Sequence, residues 1–179
     1  MPDKTFAKAL NDHVPREFAA SQAYLAAAIY YDDLTMPRMA AFFYRQAIEE
    51  RNHAMMIVQY LLNIDEEATI PGVDAPKNGF SDLVEPVRTA LEQERKVSQQ
   101  FSELASIARA ANDFQGEQFL QWFLKEQVEE VSLMSDLLTV VERAKDRPLD
   151  IEEFLAREGL GDEEEEDGAG APPVAGGAV

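Results

Sequence analysis

The sequence predicts an all-α protein, a four-helix bundle in up-down-down-up order with a long crossover loop and a short fifth helix. Three observations carry this. Four long stretches repeat apolar residues at helical spacing. The first and second, like the third and fourth, are joined by links of only a few residues, while the middle link is long and rich in Pro and Gly.

The first helix is expected over Thr5 to Leu34, Ala-rich and free of Gly, with Pro15 bending it. Met36-Pro37 ends it, and Pro37 can open the second helix, which runs to about Ile64. So short a link makes the two antiparallel neighbours. Asp65 to Ser81 carries Pro71, Gly72, Pro76 and Gly79 and is a loop. A helix of ~28 residues is ~42 Å long. A loop of ~17 extended residues reaches ~56 Å, enough to cross the bundle and let the third helix run parallel to the second. The third helix is expected over Ser81 to Ala111, a turn at Asn112-Asp113, the fourth helix over Phe114 to Lys145, and after the break at Pro148 a short amphipathic helix over Ile151 to Arg157, ending at Gly159. Residues 1–160 thus form one domain. The remainder, 161–179, is an acidic run followed by Gly, Ala and Pro, with the composition of a disordered tail.

The composition excludes several functions. The 179 residues contain no cysteine, which removes disulfides, thiolate metal sites and thiol catalysis. No apolar run approaches the ~18 residues that span a bilayer, so no membrane partner is expected. Met1-Pro2-Asp3-Lys4 lacks a signal-peptide pattern, which fits a cytoplasmic protein. Acidic residues number 34 against 16 basic ones, for a net charge of −18. Such a chain repels nucleic acid in the absence of a basic patch, and none is visible; it attracts cations.

Each long helix carries a carboxylate on its apolar stripe, near its midpoint. Glu17 interrupts Phe6, Leu10, Val14, Ala20, Tyr24 and Ala28, with Tyr24 two turns later on the same face. Glu50 and His53 fall among Met39, Phe42, Phe43, Ile57 and Leu61. Glu94 interrupts Leu83, Val87, Leu91, Val97, Phe101 and Leu104, while Gln127 and Glu130 interrupt Phe119, Phe123, Met134, Leu137 and Val141. Midpoints of helices of matched length meet at one depth, so Glu17, Glu50, His53, Glu94 and Glu130 should converge. An isolated buried carboxylate costs several kcal/mol. The group can protonate, pair with cations or bind metal; Lys and Arg are missing from these positions, and metal satisfies all four carboxylates together. Oxygen donors with one imidazole suit iron, manganese or zinc. Glu50 and His53, at i and i+3, can face one ion, and a bridging Glu50 would make the centre dinuclear. His13, near the start of its helix, is given no role. Trp122 is assigned to core or interface, and Met55-Met56 to packing.

Taken together, Glu17 and Tyr24, the run Glu49-Glu50-Arg51-Asn52-His53-Ala54, Glu94, and Trp122 to Glu130 with Glu126, Gln127 and Glu129 resemble the bacterial non-haem ferritins over roughly residues 5 to 160. The resemblance implies one iron site at Glu17, Glu50 and His53, and a second at Glu50, Glu94 and Glu130 with Gln127 hydrogen-bonding nearby. A weaker third site would use Glu49, Glu126, Glu129 and Glu130, and Tyr24 would be an electron donor beside the centre. It implies oxidation of Fe²⁺ by O₂ or peroxide and ferric mineral inside a shell of twenty-four subunits. Bacterioferritins resemble a symmetric pattern with Glu-x-x-His on two helices, and Gln127-Val128-Glu129-Glu130 departs from it. The second iron therefore lacks a histidine and should exchange more readily. Arg51 stands where those relatives carry their haem methionine, so no haem is expected.

Three rival readings remain at this level: a di-metal oxygenase or peroxidase acting on a small organic substrate, a metal-free structural bundle, and cargo of another protein's shell addressed by the tail. The first would need a pocket beside the metals, where Phe42, Phe43, Phe101 and Phe123 can fill the space. Metal analysis would exclude the second, and a large self-assembled particle would remove the need for the third.

Overall fold

The computed structural model describes residues 4–160 and 170–177, and among them all regular structure is helical. The first helical stretch is not one bent rod but two helices, α1 (Lys4–Asn11) and α2 (Val14–Asp33). Pro15 explains the break: it has no N–H to give the Asn11 carbonyl, and its ring crowds that carbonyl. Around the break Asp12 N bonds Lys8 O and His13 N bonds Leu10 O, each at 2.9 Å.

Thr35 takes a left-handed backbone at φ 58°, and Pro37 opens α3 (Pro37–Asn63) as expected. The α2–α3 hairpin is tied across its middle by Ser21, whose hydroxyl donates to the Ala47 carbonyl at 2.6 Å. After α3 the chain crosses the bundle. One end of the crossover is pinned to α1, where Thr69 N donates to Asn11 Oδ1 at 2.9 Å. The other end reaches the far end of α2, where the Tyr31 hydroxyl donates to Leu83 O at 2.6 Å. The 20 residues of α2 alone span ~30 Å.

α4 (Glu85–Ala110) starts four residues later than expected. Asp82 Oδ1 accepts from the N–H groups of Val84 and Glu85, both at 2.9 Å, and holds residues 81–84 in a turn ahead of the helix. Asp113 caps α5 (Phe114–Ala144) by accepting from Gly116 N at 2.9 Å. The short fifth helix is α6 (Pro148–Glu158), longer than expected because Pro148 opens it. Its Ile151 and Leu155 are buried, and its Glu152 carboxylate accepts from Arg38 N and Met39 N at 2.9 and 3.0 Å. Two of the unpaired N–H groups at the start of α3 are thereby satisfied from another helix. Gly159, at φ 71°, ends α6.

Gly116 is buried where α5 passes α1, and a Cβ there would lie 2.2 Å from the fully buried Phe6 ring. Gly116→Ala should therefore destabilise the fold by about 1–3 kcal/mol through overpacking. Denaturant unfolding measures this; an unchanged midpoint would mean that Phe6 yields freely.

The acidic run Asp162–Asp167, expected to be disordered, lies outside the described residues. Residues 170–177 have no helix but lie on the bundle. Ala171, Val174 and Ala175 pack against the apolar cluster that Met55 and Trp122 also cover, and Ala175 N donates to Met55 O at 3.2 Å. A small apolar segment covers apolar surface there, which composition alone did not reveal.

The core is two apolar clusters separated by a polar layer. One holds Tyr24, Phe43, Val87, Leu91, Met134 and Leu137, the other Val14, Ile57, Val97, Phe101 and Phe123. On α2, α3, α4 and α5 the chain passes from one cluster to the other through Glu17, through Glu50 and His53, through Glu94, and through Gln127 and Glu130. The four polar levels meet at one depth, although Glu17 lies in the first turn of α2 and not at its middle.

Candidate metal centre

All seven polar side chains expected on the buried faces are buried: Glu17, Tyr24, Glu50, His53, Glu94, Gln127 and Glu130. One donor atom each from Glu17, Glu50 and His53 lies within 4.8 Å of the other two, and Glu17 Oε2, Glu50 Oε2 and His53 Nδ1 have no hydrogen-bond partner. His53 Nδ1 is 3.7 Å from each carboxylate oxygen. Donors bound ~2.1 Å from one ion stand roughly 3–3.5 Å apart, so the trio is slightly expanded from the spacing an ion would impose. Each buried orphan of this kind costs about 1–3 kcal/mol. Two oxygens and an imidazole nitrogen in this state fit a divalent cation. The His53 ring is fixed by edge contacts to Trp122 and Phe123, at centroid distances of 5.5 and 5.7 Å.

Glu94 belongs to no such trio. Tyr24 donates its hydroxyl to Glu94 Oε1, and Gln127 Nε2 donates to Glu94 Oε2 at 3.3 Å. A second group gathers Glu49, Glu126 and Glu130 within 4.8 Å. Glu129, expected with them, stands apart: it is exposed and pairs with Lys125 at 3.2 Å. On the helix 129 lies about 60° to one side of 126 and 130 about 40° to the other, so 129 and 130 point about 100° apart and of these two only 130 turns to Glu49.

The electrostatics reflect four carboxylates in a dry layer. Burial, then the charges of Glu94 and Glu17, raise Glu50 well above the usual carboxylate range. Burial, with Glu49 and Glu94, does the same for Glu130. Glu94 is pushed up to about 7 by burial against the opposing hydrogen bond from Tyr24. Glu17 moves the other way: burial would raise it, but His13 and His53 together hold it low. Burial works against charge on His53, yet the Glu17 and Glu50 carboxylates beside it raise it well above its ordinary value. Burial and Glu94 raise Tyr24.

Two residues escaped the sequence reading. His13 is buried, with Nε2 2.5 Å from Glu17 Oε1. The signal was present as an i, i+4 spacing from Glu17. Gln46 is buried and donates from Nε2 to Glu49 Oε2 at 2.8 Å; an uncharged amide beside the Glu49–Glu50 pair gave little to distinguish it.

Fold and site together define a helical bundle built around a carboxylate- and histidine-lined layer that could hold metal. A family model described as a ferritin-like domain matches residues 7–144. "Ferritin BfrB" of Mycolicibacterium smegmatis is 50% identical over 156 residues, covering 87% of this chain and 86% of that one. "Bacterial non-heme ferritin" of Staphylococcus aureus is 38% identical over 146 residues, covering 82% and 88%. The open-pore ferritin of Archaeoglobus fulgidus superposes with a TM-score of 0.85 at 24% identity, over 92% of this chain and all of that one, a likeness of fold. The chain belongs to the ferritin family.

Proposed function

We propose that the protein is an iron-storage ferritin that oxidises Fe²⁺ with O₂, or peroxide, at a di-iron ferroxidase centre within each subunit. The observation that carries this reading is the trio of unpartnered donors Glu17 Oε2, Glu50 Oε2 and His53 Nδ1. Iron enters as substrate. The first ion takes that trio, and the second takes Glu50, Glu94 and Glu130. Two ferrous ions give up one electron each, and O₂ takes both with two protons to leave as hydrogen peroxide. The acidic groups favour the ferric product because they add negative charge around it. Tyr24, whose hydroxyl donates to Glu94, would orient that carboxylate towards the second ion. Glu49, Glu126 and Glu130 then form a weaker third site through which ferric ions leave. No haem takes part.

Storage needs a cavity, and we propose a cytoplasmic shell of twenty-four copies. At −18 per chain its charge would be on the order of −400, enough to concentrate Fe²⁺ at low salt. Among the described residues no helix is long and apolar enough to cross a membrane. The test is aerobic Fe²⁺ loading followed by particle size and iron content. A large particle that retains ferric iron is expected; subunits that stay small, or iron that precipitates outside them, would end the proposal.

The geometry alters one expectation about the third site. Glu126→Ala should leave the first turnover unchanged and slow later ones several-fold, whereas Glu129→Ala should change later turnovers less than twofold, because the Glu129 carboxylate lies outside the cluster. Stopped-flow oxidation over successive Fe²⁺ additions measures both. Equal effects from the two variants would count against the assignment.

A further inference from the structure

The shortest contact to a donor of the first trio comes from a residue that the proposed chemistry does not use. His13 is 1% exposed, and its Nε2 lies 2.5 Å from Glu17 Oε1. We propose that His13 is a positioning residue for Glu17: it occupies Oε1, so that Oε2 alone faces Glu50 and His53 and Glu17 binds metal through one oxygen. The proposal rests on reading Glu17, Glu50 and His53 as a metal site.

The geometry is specific. The two Glu17 oxygens have different fates. Oε1 accepts from His13, while Oε2 has no partner and lies 3.7 Å from His53 Nδ1. The hydrogen bond to a carboxylate places a proton on His13 Nε2. The other ring nitrogen, Nδ1, is buried without a hydrogen-bond partner. A buried orphan nitrogen is retained at a cost. The ring is also held in place, tilted against Phe101 with centroids 4.5 Å apart. His13 directly precedes α2 and keeps a helical backbone, φ −87° and ψ −31°, so it faces Glu17 across the first turn.

Across the centre the engagement goes further. Glu94 has both oxygens engaged, by Tyr24 and by Gln127. A terminal carboxylate on each side is therefore oriented by a donor behind it. Outer donors of this kind fix a ligand's direction, and their loss typically costs 10–100-fold in metal affinity. If both Glu17 oxygens were free, the carboxylate could chelate the ion. That would fill a coordination position otherwise open to the second oxygen of Glu50 or to the oxidant.

The test uses the full-length assembled protein, stripped of metal and titrated anaerobically with Co²⁺, whose visible bands report coordination number. Four forms are compared: the parent, His13→Gln, His13→Asn and His13→Leu. Gln can return an N–H to Glu17 Oε1 from the same helical position, whereas Asn is one methylene shorter and Leu has no donor. Expected is a first-site affinity 10–100-fold lower in the Asn and Leu variants, with weaker visible bands as Glu17 becomes a two-oxygen ligand. The Gln variant should keep the parental spectrum and stay within about threefold of parental affinity, at the tight end of that range. Parental affinity and spectrum in His13→Leu would overturn the proposal. So would an equal loss in Gln and Asn, which would assign His13 to packing against Phe101. Should the Leu variant fail to assemble, the Gln and Asn pair, matched in polarity, decides alone. Failure of the parent itself to bind Co²⁺ would refute the metal centre, a result distinct from any difference among the variants.

Discussion

Glu50→Ala should lower the initial rate of Fe²⁺ oxidation by at least about 100-fold while the particle still assembles. Loss of an outer donor typically costs 10–100-fold, and removing a ligand that serves both ions should exceed that. Glu50 supplies one of the three convergent donors beside Glu17 and His53, and its charge interacts with Glu94 on the other side. Assembly should survive because the two apolar clusters on either side of the polar layer are untouched. The metal-free variant should be no less stable than the parent at neutral pH, since the change removes a buried acid whose ionisation is opposed by burial and by neighbouring charge. Stopped-flow absorbance and calorimetry on one preparation test both halves. Oxidation at the parental rate would refute the ligand assignment.

The second large effect concerns pH. The metal-free protein should lose stability as pH rises from about 5 to 8, and a divalent metal should restore it. Glu94 is raised from 4.5 to about 7 in the folded state. Between those values the folded chain holds a proton that the unfolded chain has released, so raising the pH favours unfolding. This group alone contributes about 3 kcal/mol, or a melting shift of roughly 6–12 °C. Glu50 and Glu130, both raised, act in the same direction. His53, also raised, contributes stability that is complete below its unfolded value and is lost as pH climbs through its folded one. Glu17 is lowered, so its contribution falls away only in acid below the usual carboxylate range and is level across this window. Zn²⁺ binds the deprotonated forms and should raise the melting temperature more at pH 8 than at pH 5. Scanning calorimetry with chelator and with Zn²⁺ checks this. Stability that is level or rising across the window without metal would contradict the account.

Much of the centre was legible because its residues violate a pattern. Glu17, Glu50, His53, Glu94 and Glu130 stand out as polar residues on apolar stripes, and the period of a helix fixes which face each one occupies. Glu129 illustrates the limit. It lies beside Glu130 in the chain, yet adjacent helical residues point about 100° apart, and only Glu126 and Glu130 meet Glu49. His13 illustrates the opposite error. Its i, i+4 spacing from Glu17 was legible, but its burial against the Phe101 ring of a distant helix was not. Residues 170–177 were similar: their place depends on an apolar cluster assembled from separate helices.

The sequence by itself determined the helical class, the order of the bundle helices, the need for a crossover, and the depth at which five acid and imidazole groups meet. These follow from periodicity, proline placement and chain reach, all local properties. Tertiary structure alone decided which atoms of those groups face one another: that Glu17 turns one oxygen to His13 and the other to His53, that Tyr24 and Gln127 engage Glu94, and that Glu152 caps a helix more than a hundred residues away in the chain. Such choices depend on rotamers and distances between helices. Those are set by how side chains from several elements fill a common volume, which no single stretch of sequence contains.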